Sequence, residues 1–458
     1  MANKAIHENW SSTRLFILSA VGSAVGLGNI WRFPYLAGEN GGGAFVIVYL
    51  LCITFVALPI LIGEIMLGRM GKQSPINTMR SLAIKYGKSP LWGLTGWLAI
   101  FIAFVVMTFY SVVAGWALDF SLKSAMGVFN ELGKEQTQVI FDDLLASPMR
   151  LIMWHTVFTV LTVYIVSRGL HKGIESAIKW LMPALFAILI SMVLYSLVAA
   201  DFMAALTFLF TPDFSKLTPE IFMLASSQAF FSVTIGAGAM MIYGAYLPDD
   251  VSIPKTTAII VYADSGVAIL AGMAIFPIVF TYGLSPDGGP GLVFVTLPIA
   301  FGQMFGGSFL GTAFFLLLAI AALTSLIATL EPIVAWAEEN KGIKRTTTTI
   351  VIGLTAWVLG FGSVLSFNHL SGFYPLDFLP FMEGKTIFDA SEYLSITVLL
   401  PVSGLLVALF AGWVLPREIS ESELGLKSRK VYLVWLFLLR WVAPAVILVI
   451  LIFLTMFQ

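Results

Sequence analysis

The sequence predicts an all-α integral membrane protein with about eleven transmembrane helices. Of its 458 residues, 59% are hydrophobic and only 11% are charged, whereas soluble domains carry about 25% charged residues. Eleven apolar stretches reach the roughly 20 residues that a helix needs to cross a bilayer. Helices are predicted because backbone groups in lipid must be bonded within the segment, and the alternation typical of β-barrel strands is missing. The predicted spans are 13–37, 43–69, 91–121, 150–167, 177–199, 219–246, 257–283, 307–337, 346–367, 391–415 and 431–457.

Composition narrows the classes of function. The formal net charge is −1, so bulk charge gives no indication of a nucleic-acid partner. Cys52 is the only cysteine, which rules out an internal disulfide. The sequence contains no recognisable nucleophile–base pair or metal-ligand cluster, so an enzyme is not expected. Residues 1–458 are predicted to form a single domain whose main partner is the lipid bilayer.

Basic residues in the connections predict the orientation. They concentrate on one side of the predicted spans, for example Arg69 and Lys72 after the second span and Lys344 and Arg345 after the eighth. Cytoplasmic connections carry the excess of lysine and arginine. The N-terminus is therefore predicted to be cytoplasmic, and eleven spans place the C-terminus outside.

Two of the spans contain glycine clusters at mid-membrane. The first contains GSAVGLGN (22–29) and the sixth contains SVTIGAGA (232–239). Each glycine costs about 1 kcal/mol relative to alanine inside a helix, and close helix packing is the ordinary reason to keep one. Two interruptions five spans apart instead favour a 5+5 inverted repeat, about 10–200 and 219–415, with a binding site at the midplane and an additional helix at 431–457.

Two arginines and one mixed segment depart from the apolar pattern. Arg32 and Arg440 both lie within apolar stretches. The segment GLSPDGGPGLVFVTLP (283–298) combines turn residues with an apolar run. It is predicted to be a loop that folds back into the protein.

Four stretches resemble one family closely, in its order and spacing. They are WSSTRLFILSAVGSAVGLGNIWRFPYLAGENGGGAF (10–45), GEIMLGR (63–69), SSQAFFSVTIGAGAM (226–240) and AALTSLIATLEP (321–332). The chain is thereby similar to the neurotransmitter:sodium symporter family, and its short termini resemble the bacterial members. The resemblance implies sodium-coupled symport of an amino acid by alternating access across the bacterial inner (plasma) membrane.

The resemblance implies two sodium sites. The first would use the Ala24 carbonyl, Asn29, Ser232 and the substrate carboxylate, with Asp264 as a possible further ligand. The second would use the carbonyls of Gly22, Val25 and Ala321 and the hydroxyls of Thr324 and Ser325. Ala321, Thr324, Ser325, Ala328 and Thr329 also fall on one helix stripe. Taken alone, that stripe is more typical of hydroxyls that bond to a neighbouring helix, and the broken first helix beside it favours the ion site.

Two acidic residues, Asp264 and Glu64, lie deep in apolar spans, and Asp264 decides whether chloride is expected to be required. Tyr49, Gln228, Ser232 and Asp264 match positions around the chloride pocket of chloride-dependent relatives. A carboxylate inside the membrane is a functional candidate by default, and Asp264 would supply the negative charge there, so chloride is not expected to be required. Glu64 matches a family glutamate that braces the unwound sixth helix.

The resemblance also implies the substrate site. The substrate carboxylate would meet the amides of Leu27 and Gly28 and the Tyr110 hydroxyl. Glycine at position 26, where monoamine carriers have an aspartate, favours a substrate with its own carboxylate. A neutral L-amino acid with a larger aliphatic or aromatic side chain is expected. A carrier of a GABA-like or betaine-like solute and a non-transporting channel or sensor remain alternatives. The substrate-binding residues are Ser23, Ala24, Gly26, Leu27, Gly28, Val106, Tyr110, Phe231, Ser232, Thr234, Ala237, Ser325 and Thr329.

Gates on both sides follow from the same resemblance. Arg32 and Glu392 match the outer ion pair, above a lid formed by Tyr110 and Phe231. Trp10, Tyr246 and Glu339 match the inner gate, where His7 stands in place of the usual arginine. Gly173 and Pro183 flank a segment of the fifth span that can unwind, or that is a static proline kink.

Overall fold

The computed structural model describes residues 8–286 and 291–456, and every regular element in these residues is helical. His7 lies outside the described residues. Within them, nine continuous helices are long and apolar enough to cross a membrane. Their bounds are Gly43–Gly71, Pro90–Ala125, Pro148–Ser167, Leu170–Ala199, Ile253–Thr281, Gly307–Lys341, Arg345–Leu365, Ile387–Val414 and Arg429–Phe453.

The first predicted span is a bent pair of helices, Thr13–Ala24 and Gly28–Glu39, whose axes differ by 54°. The Ser12 hydroxyl caps the first half by accepting the Leu15 amide at 3.2 Å. The helix ends where Val25 adopts an extended conformation, with ψ of 105°. The glycine cluster thus marks a real interruption, and this pair is named the first broken helix below.

The sixth predicted span is also interrupted. Its halves are Pro219–Ser232 and Ala239–Ala245, named the second broken helix. The connection between them holds three residues in the left-handed region, Thr234 (φ 51°), Gly236 (φ 81°) and Gly238 (φ 77°). Each half is too short to cross a membrane alone. The described chain therefore contains nine continuous spans and two helices that are broken at the glycine clusters, as the sequence predicts.

The segment predicted as an inward-folding loop contains a helix, Leu292–Gln303. Val293 and Phe294 are buried. The Phe294 ring lies 5.6 Å from Trp116, 5.3 Å from Phe120 and 5.5 Å from Phe141, measured between ring centroids. The described part from residue 291 onwards does fold into the protein, but the aromatic packing that favours a helix there involves residues distant in sequence.

Long helices surround the two interruptions. Gly307–Lys341 packs along Pro90–Ala125 and against both broken helices, and Pro90–Ala125 reaches the first broken helix through Tyr110. The remaining described helices are Pro75–Lys85, Lys134–Leu145, Phe202–Phe210 and Arg417–Leu424, with 3-10 turns at Phe214–Lys216 and Pro380–Met382. This arrangement leaves unpaired backbone groups at the centre of the bundle, where side chains from neighbouring helices reach them.

Candidate functional site at the broken helices

The first interruption is held open by side chains. The Leu27 amide donates a hydrogen bond to the Tyr110 hydroxyl at 2.8 Å. The Gly26 amide donates to Oδ1 of Asn29 at 3.1 Å, and the Asn29 amide donates to the Gly26 carbonyl at 3.2 Å. All of these residues are buried. Backbone groups freed from helical pairing thus remain satisfied and are concentrated around residues 26–29.

Glu64 anchors the second interruption. Its Oε2 accepts the Gly236 amide at 3.0 Å, and the amides of Gly238 and Met241 also lie close to the carboxylate. Met241 belongs to the first turn of Ala239–Ala245, where amides lack helical partners and favour a negative charge. Ser403 donates to the Gly236 carbonyl at 2.7 Å. Glu64 therefore lies where a brace for the unwound segment is needed.

Two features of the structure require a glycine at position 236. Its φ of 81° is unfavourable for any other residue. A Cβ there would lie 2.9 Å from the Gly404 amide nitrogen and 3.0 Å from the Leu400 carbonyl oxygen. The second broken helix can approach the helix Ile387–Val414 only without a side chain at this position.

A polar cluster joins the two broken helices to the helix Ile253–Thr281. Nδ2 of Asn29 donates to Oδ1 of Asp264 at 2.8 Å and to the Ser232 hydroxyl at 3.0 Å. The Ser232 hydroxyl donates to Oδ2 of Asp264. All three side chains are buried. Three residues assigned to the first sodium site are thus brought together, and their oxygens are the ligands that hard cations prefer.

The residues matched to a chloride pocket separate into two groups. The Tyr49 hydroxyl lies 3.3 Å from the hydroxyls of Ser232 and Ser265, beside Asp264. Gln228 instead donates to the Gly28 carbonyl at 2.7 Å and accepts from Arg32 at 2.9 Å. Ser265, which was not among the predicted residues, completes the cluster around Tyr49 and directly follows Asp264.

The residues assigned to the second sodium site meet on the other side of the first interruption. The Ser325 hydroxyl lies 3.2 Å from the Ser23 carbonyl oxygen and 3.4 Å from that of Val25. The hydroxyls of Ser325 and Thr324 lie 3.1 Å and 3.0 Å from the Ala321 carbonyl oxygen. The stripe therefore bonds across to a neighbouring helix, and it does so where the first broken helix exposes carbonyls. Gly22 lies one turn before the break, where a Cβ would meet Met182.

A small enclosed cavity lies between the two interruptions. Its volume is about 30 Å³, enough for one or two water molecules. It is lined by Ala24, Gly26, Gly28, Ile102, Ala103, Val106, Tyr110, Phe231, Thr234, Ala237, Ser325, Thr329 and Leu400. Ser23, Leu27 and Ser232 of the predicted substrate set do not line it. Ile102, Ala103 and Leu400 line it and were not predicted. Ala103 precedes Val106 by three residues on one helix face, a signal that could have found it.

The cavity lining contains a hydroxyl without a hydrogen-bond partner among the described residues. Oγ1 of Thr234 is buried and unpaired, whereas Thr329 donates to the Ser325 carbonyl at 2.8 Å. Thr234 also has a strained φ of 51°. A strained residue with an unpaired buried hydroxyl facing a cavity is typical of a ligand site.

A second cavity of about 20 Å³ lies beside the first, and Tyr110 and Phe231 line both. Arg32 and Glu392 line this second cavity, and no direct ion pair forms between them in the described structure. The Arg32 guanidinium lies 5.5 Å from the centroid of the Phe231 ring. The predicted lid residues thus separate the cavity at the interruptions from the predicted outer ion pair, and the space between the charges is large enough for a bridging water.

Two residues of the predicted inner gate, Trp10 and Tyr246, lie together. Nε1 of Trp10 donates to the Tyr243 carbonyl at 3.0 Å, and the Trp10 and Tyr246 rings are 6.1 Å apart. The Tyr246 hydroxyl donates to Glu331 at 2.6 Å. Glu331 also pairs with Arg345. Neither Glu331 nor Arg345 was predicted as a gate residue, although a glutamate in an apolar span was an available signal.

Glu339 has a different environment. It accepts the Ser74 amide at 2.6 Å, the Ser74 hydroxyl at 2.5 Å and Nδ2 of Asn77 at 2.6 Å. These donors lie at the start of the helix Pro75–Lys85. Glu331 and Glu339 are separated by about two turns, so one carboxylate meets Tyr246 and the other fixes a neighbouring connection.

The predicted unwinding segment is irregular only at its start, and from Ser176 it is regular α-helix. Gly169 has φ of 84°, and Leu170–Glu175 forms a π-type turn before the regular helix, which continues through Pro183. The Ser11 hydroxyl donates to Glu175 at 2.5 Å and lies 3.0 Å from Nδ1 of His171. The segment before the first broken helix is thus bonded to this irregular turn.

Comparison with known proteins identifies the chain. A family model described as the sodium:neurotransmitter symporter family matches residues 7–133 and 146–458. The chain belongs to this family. It is accordingly a sodium-dependent multi-pass membrane symporter and not an enzyme.

Two relatives and one solved structure are similar to nearly the whole length of the symporter. YhdH of Bacillus subtilis, an uncharacterized sodium-dependent transporter, is 37% identical over 448 residues, 96% of both chains. An uncharacterized sodium-dependent transporter of Haemophilus influenzae is 32% identical over 455 residues, 98% of both chains. The crystal structure of MhsT in complex with L-phenylalanine is similar with a TM-score of 0.89 and 38% identity, over 97% of this chain and 99% of MhsT.

Substitution of Gly26 tests whether the substrate binds in the cavity of the symporter. A Cβ there would lie 2.5 Å from the Tyr110 hydroxyl oxygen and 2.7 Å from Oγ of Ser325. Gly26→Ala is expected to displace both hydroxyls and to lower substrate affinity at least about tenfold, since two polar contacts are affected. Gly372→Ala is the control because a Cβ at Gly372 meets nothing within 4 Å. Binding of radiolabelled substrate should be weakened in the first variant only, and equal affinity in both would contradict the assignment.

Proposed function

We propose that this symporter couples sodium to the uptake of a neutral L-amino acid with a larger aliphatic or aromatic side chain. The observation that carries the proposal is that both broken helices meet at one cavity, beside two clusters of oxygen ligands. Unwound backbone offers amides to a carboxylate and carbonyls to cations.

The cavity lining favours a zwitterion whose side chain is neutral. None of its lining residues is acidic or basic. A charged substrate side chain would be buried without a partner, which is strongly unfavourable. The substrate carboxylate would meet the backbone at Leu27 and Gly28 and the Tyr110 hydroxyl, and Gly26 leaves space for it. Thr234 offers a free hydroxyl to another polar group of the substrate.

The substrate side chain would lie among apolar residues. Val106, Ile102, Leu400 and Ala237 line the cavity, and small residues at 103 and 237 leave space for larger groups. Because the cavity volume is only about 30 Å³, side chains such as Phe231 would have to move to admit a bulky substrate. L-phenylalanine is the ligand named for MhsT, which supports an aromatic substrate here.

Two sodium ions would be carried with the substrate. The first would be held by Ala24, Asn29, Ser232 and the substrate carboxylate, with Asp264 supplying a fixed negative charge. The second would be held by Gly22, Val25, Ala321, Thr324 and Ser325. Because Asp264 already provides the anion next to Ser232, chloride would not be required.

Alternating access would supply the coupling. Each sodium moved through 100 mV contributes about 2.3 kcal/mol, so two ions would support more than a thousandfold accumulation of a neutral substrate. We propose that the halves at about 10–200 and 219–415 are inverted repeats that move relative to each other. The distribution of basic residues supports a cytoplasmic N-terminus and an external C-terminus.

A binding screen combined with uptake tests the proposal. Purified protein is heated with each of the twenty amino acids, GABA and betaine, in sodium or potassium. Thermal stabilisation by neutral amino acids in sodium alone is expected. Counterflow in proteoliposomes with the same panel then measures transport. Stabilisation in potassium, or preference for GABA or betaine, would overturn the assignment, and failure to accumulate substrate against its gradient would indicate a channel or sensor.

A further inference from the structure

Arg440 lies inside the helix Arg429–Phe453, in a stretch that is otherwise apolar. Charged residues within membrane-spanning segments are expensive and usually have a functional partner. The cavity at the broken helices and both predicted gates use other residues. Arg440 is therefore expected to have a partner outside the cavity and the gates.

Protein contacts satisfy only part of the Arg440 guanidinium. Nε donates to the Gly412 carbonyl, one of the last carbonyls of Ile387–Val414. The guanidinium carbon lies 5.0 Å from the centroid of the Trp413 ring. Arg440 forms no ion pair with any described residue. The capping contact explains the orientation of the side chain, because cations favour helix C-termini, but it leaves both Nη groups available.

A second arginine lies on the same side. Arg417 is the first residue of the helix Arg417–Leu424, and its carbonyl accepts the Tyr432 hydroxyl at 3.1 Å. Its side chain is exposed, and Arg417 follows Gly412, whose carbonyl Arg440 contacts, by five residues. Two guanidinium groups that form no ion pair with a described residue thus belong to residues at the same end of the helix Ile387–Val414.

The acids of this connection do not neutralise the two arginines. Glu423 pairs with Arg69 at 2.6 Å, and Glu421 lies 3.9 Å from Arg429. Glu418 is exposed and forms no ion pair with Arg417 or Arg440 in the described structure. A local excess of positive charge remains at the edge of the membrane-spanning region.

The surface beside the arginines is typical of protein that lies at the level of the lipid headgroups. The rings of Trp413 and Trp441 are in edge-to-face contact at 4.9 Å, and 47% and 57% of these residues are exposed. Tryptophan is enriched at the level of the headgroups. Arginine forms forked hydrogen bonds to phosphate.

We propose that Arg440 and Arg417 bind the phosphate of an anionic phospholipid, with Trp413 and Trp441 against its glycerol backbone and upper acyl chains. The positive-inside distribution assigns this lipid to the cytoplasmic leaflet. A lipid bound here would contact the ends of two helices at once. It would hold Ile387–Val414, which packs against Gly236, next to Arg429–Phe453.

Lipid retention and thermal stability together test the proposal. Wild-type protein, Arg417→Gln, Arg440→Gln and Arg440→Lys are placed in nanodiscs of phosphatidylcholine, with or without phosphatidylglycerol. Arg429→Gln is the control, because Arg429 is an exposed arginine of the same connection. Retained phosphatidylglycerol is measured by native mass spectrometry after release into detergent.

Wild-type protein and the Arg429→Gln control should retain phosphatidylglycerol and melt at a higher temperature with it. Arg417→Gln, which leaves the cap on Gly412 intact, and Arg440→Gln should each retain the lipid about tenfold less, as expected for loss of a charged hydrogen bond. Arg440→Lys should be intermediate. The proposed site would be contradicted if both glutamine variants retained as much phosphatidylglycerol as the wild type. It would also be contradicted if the Arg429→Gln control lost as much of the lipid as they do. Equal stabilisation by inorganic phosphate in detergent would overturn the assignment to a lipid.

Discussion

Asp264→Asn is expected to lower the apparent sodium affinity of the symporter by roughly ten- to a hundredfold. The carboxylate is buried and accepts hydrogen bonds from Asn29 and Ser232. Replacing it with a neutral amide removes the only negative charge of the cluster and introduces donors where Asn29 and Ser232 already donate. Hydrogen bonds to charged groups are worth about 1.5–3 kcal/mol, which corresponds to this loss of affinity.

Sodium-dependent uptake in proteoliposomes measures the effect. Asp249→Asn is the control, since Asp249 is exposed and its ion-pair partner among the described residues is Lys72 at 3.0 Å. Asp264→Ser should restore uptake when chloride is added, because an anion can then take the place of the carboxylate beside Tyr49 and Ser232. Uptake that is unchanged in both variants and indifferent to chloride would refute the role given to Asp264.

Glu64→Ala is expected to destabilise the folded symporter by about 3 kcal/mol or more. The carboxylate accepts the Gly236 amide and lies close to those of Gly238 and Met241. Each buried donor left without a partner costs about 1–3 kcal/mol. Because these amides form the second interruption, the variant should also lose most substrate binding.

Melting temperatures from scanning fluorimetry in detergent measure the loss. Glu64→Gln keeps an acceptor oxygen and should fall between Glu64→Ala and the wild type. Glu418→Ala is the surface control because Glu418 is exposed. A melting temperature of Glu64→Ala equal to that of the control would show that the amides do not depend on this carboxylate.

The family resemblance located many site residues but not all of their partners. Thr324 and Ser325 were selected in this way and also fall on one helix stripe, and the structure places Ser325 against the carbonyls of Ser23 and Val25. At the inner gate, Glu331 and Glu339 lie on the same helix about two turns apart, so their spacing does not distinguish their partners. Only packing decides that Glu331 meets Tyr246 while Glu339 meets Ser74.

The sequence by itself determined the helical membrane class, most of the span bounds and the positions of both interruptions. These depend on local properties, namely apolar length and clustered glycine, which act whatever surrounds them. Only the tertiary structure decided that Leu292–Gln303 is a helix, that Leu400 lines the cavity and that Gln228 bonds to Gly28 and Arg32. Those outcomes depend on distances between residues far apart in sequence, and such distances are fixed only when the helices pack.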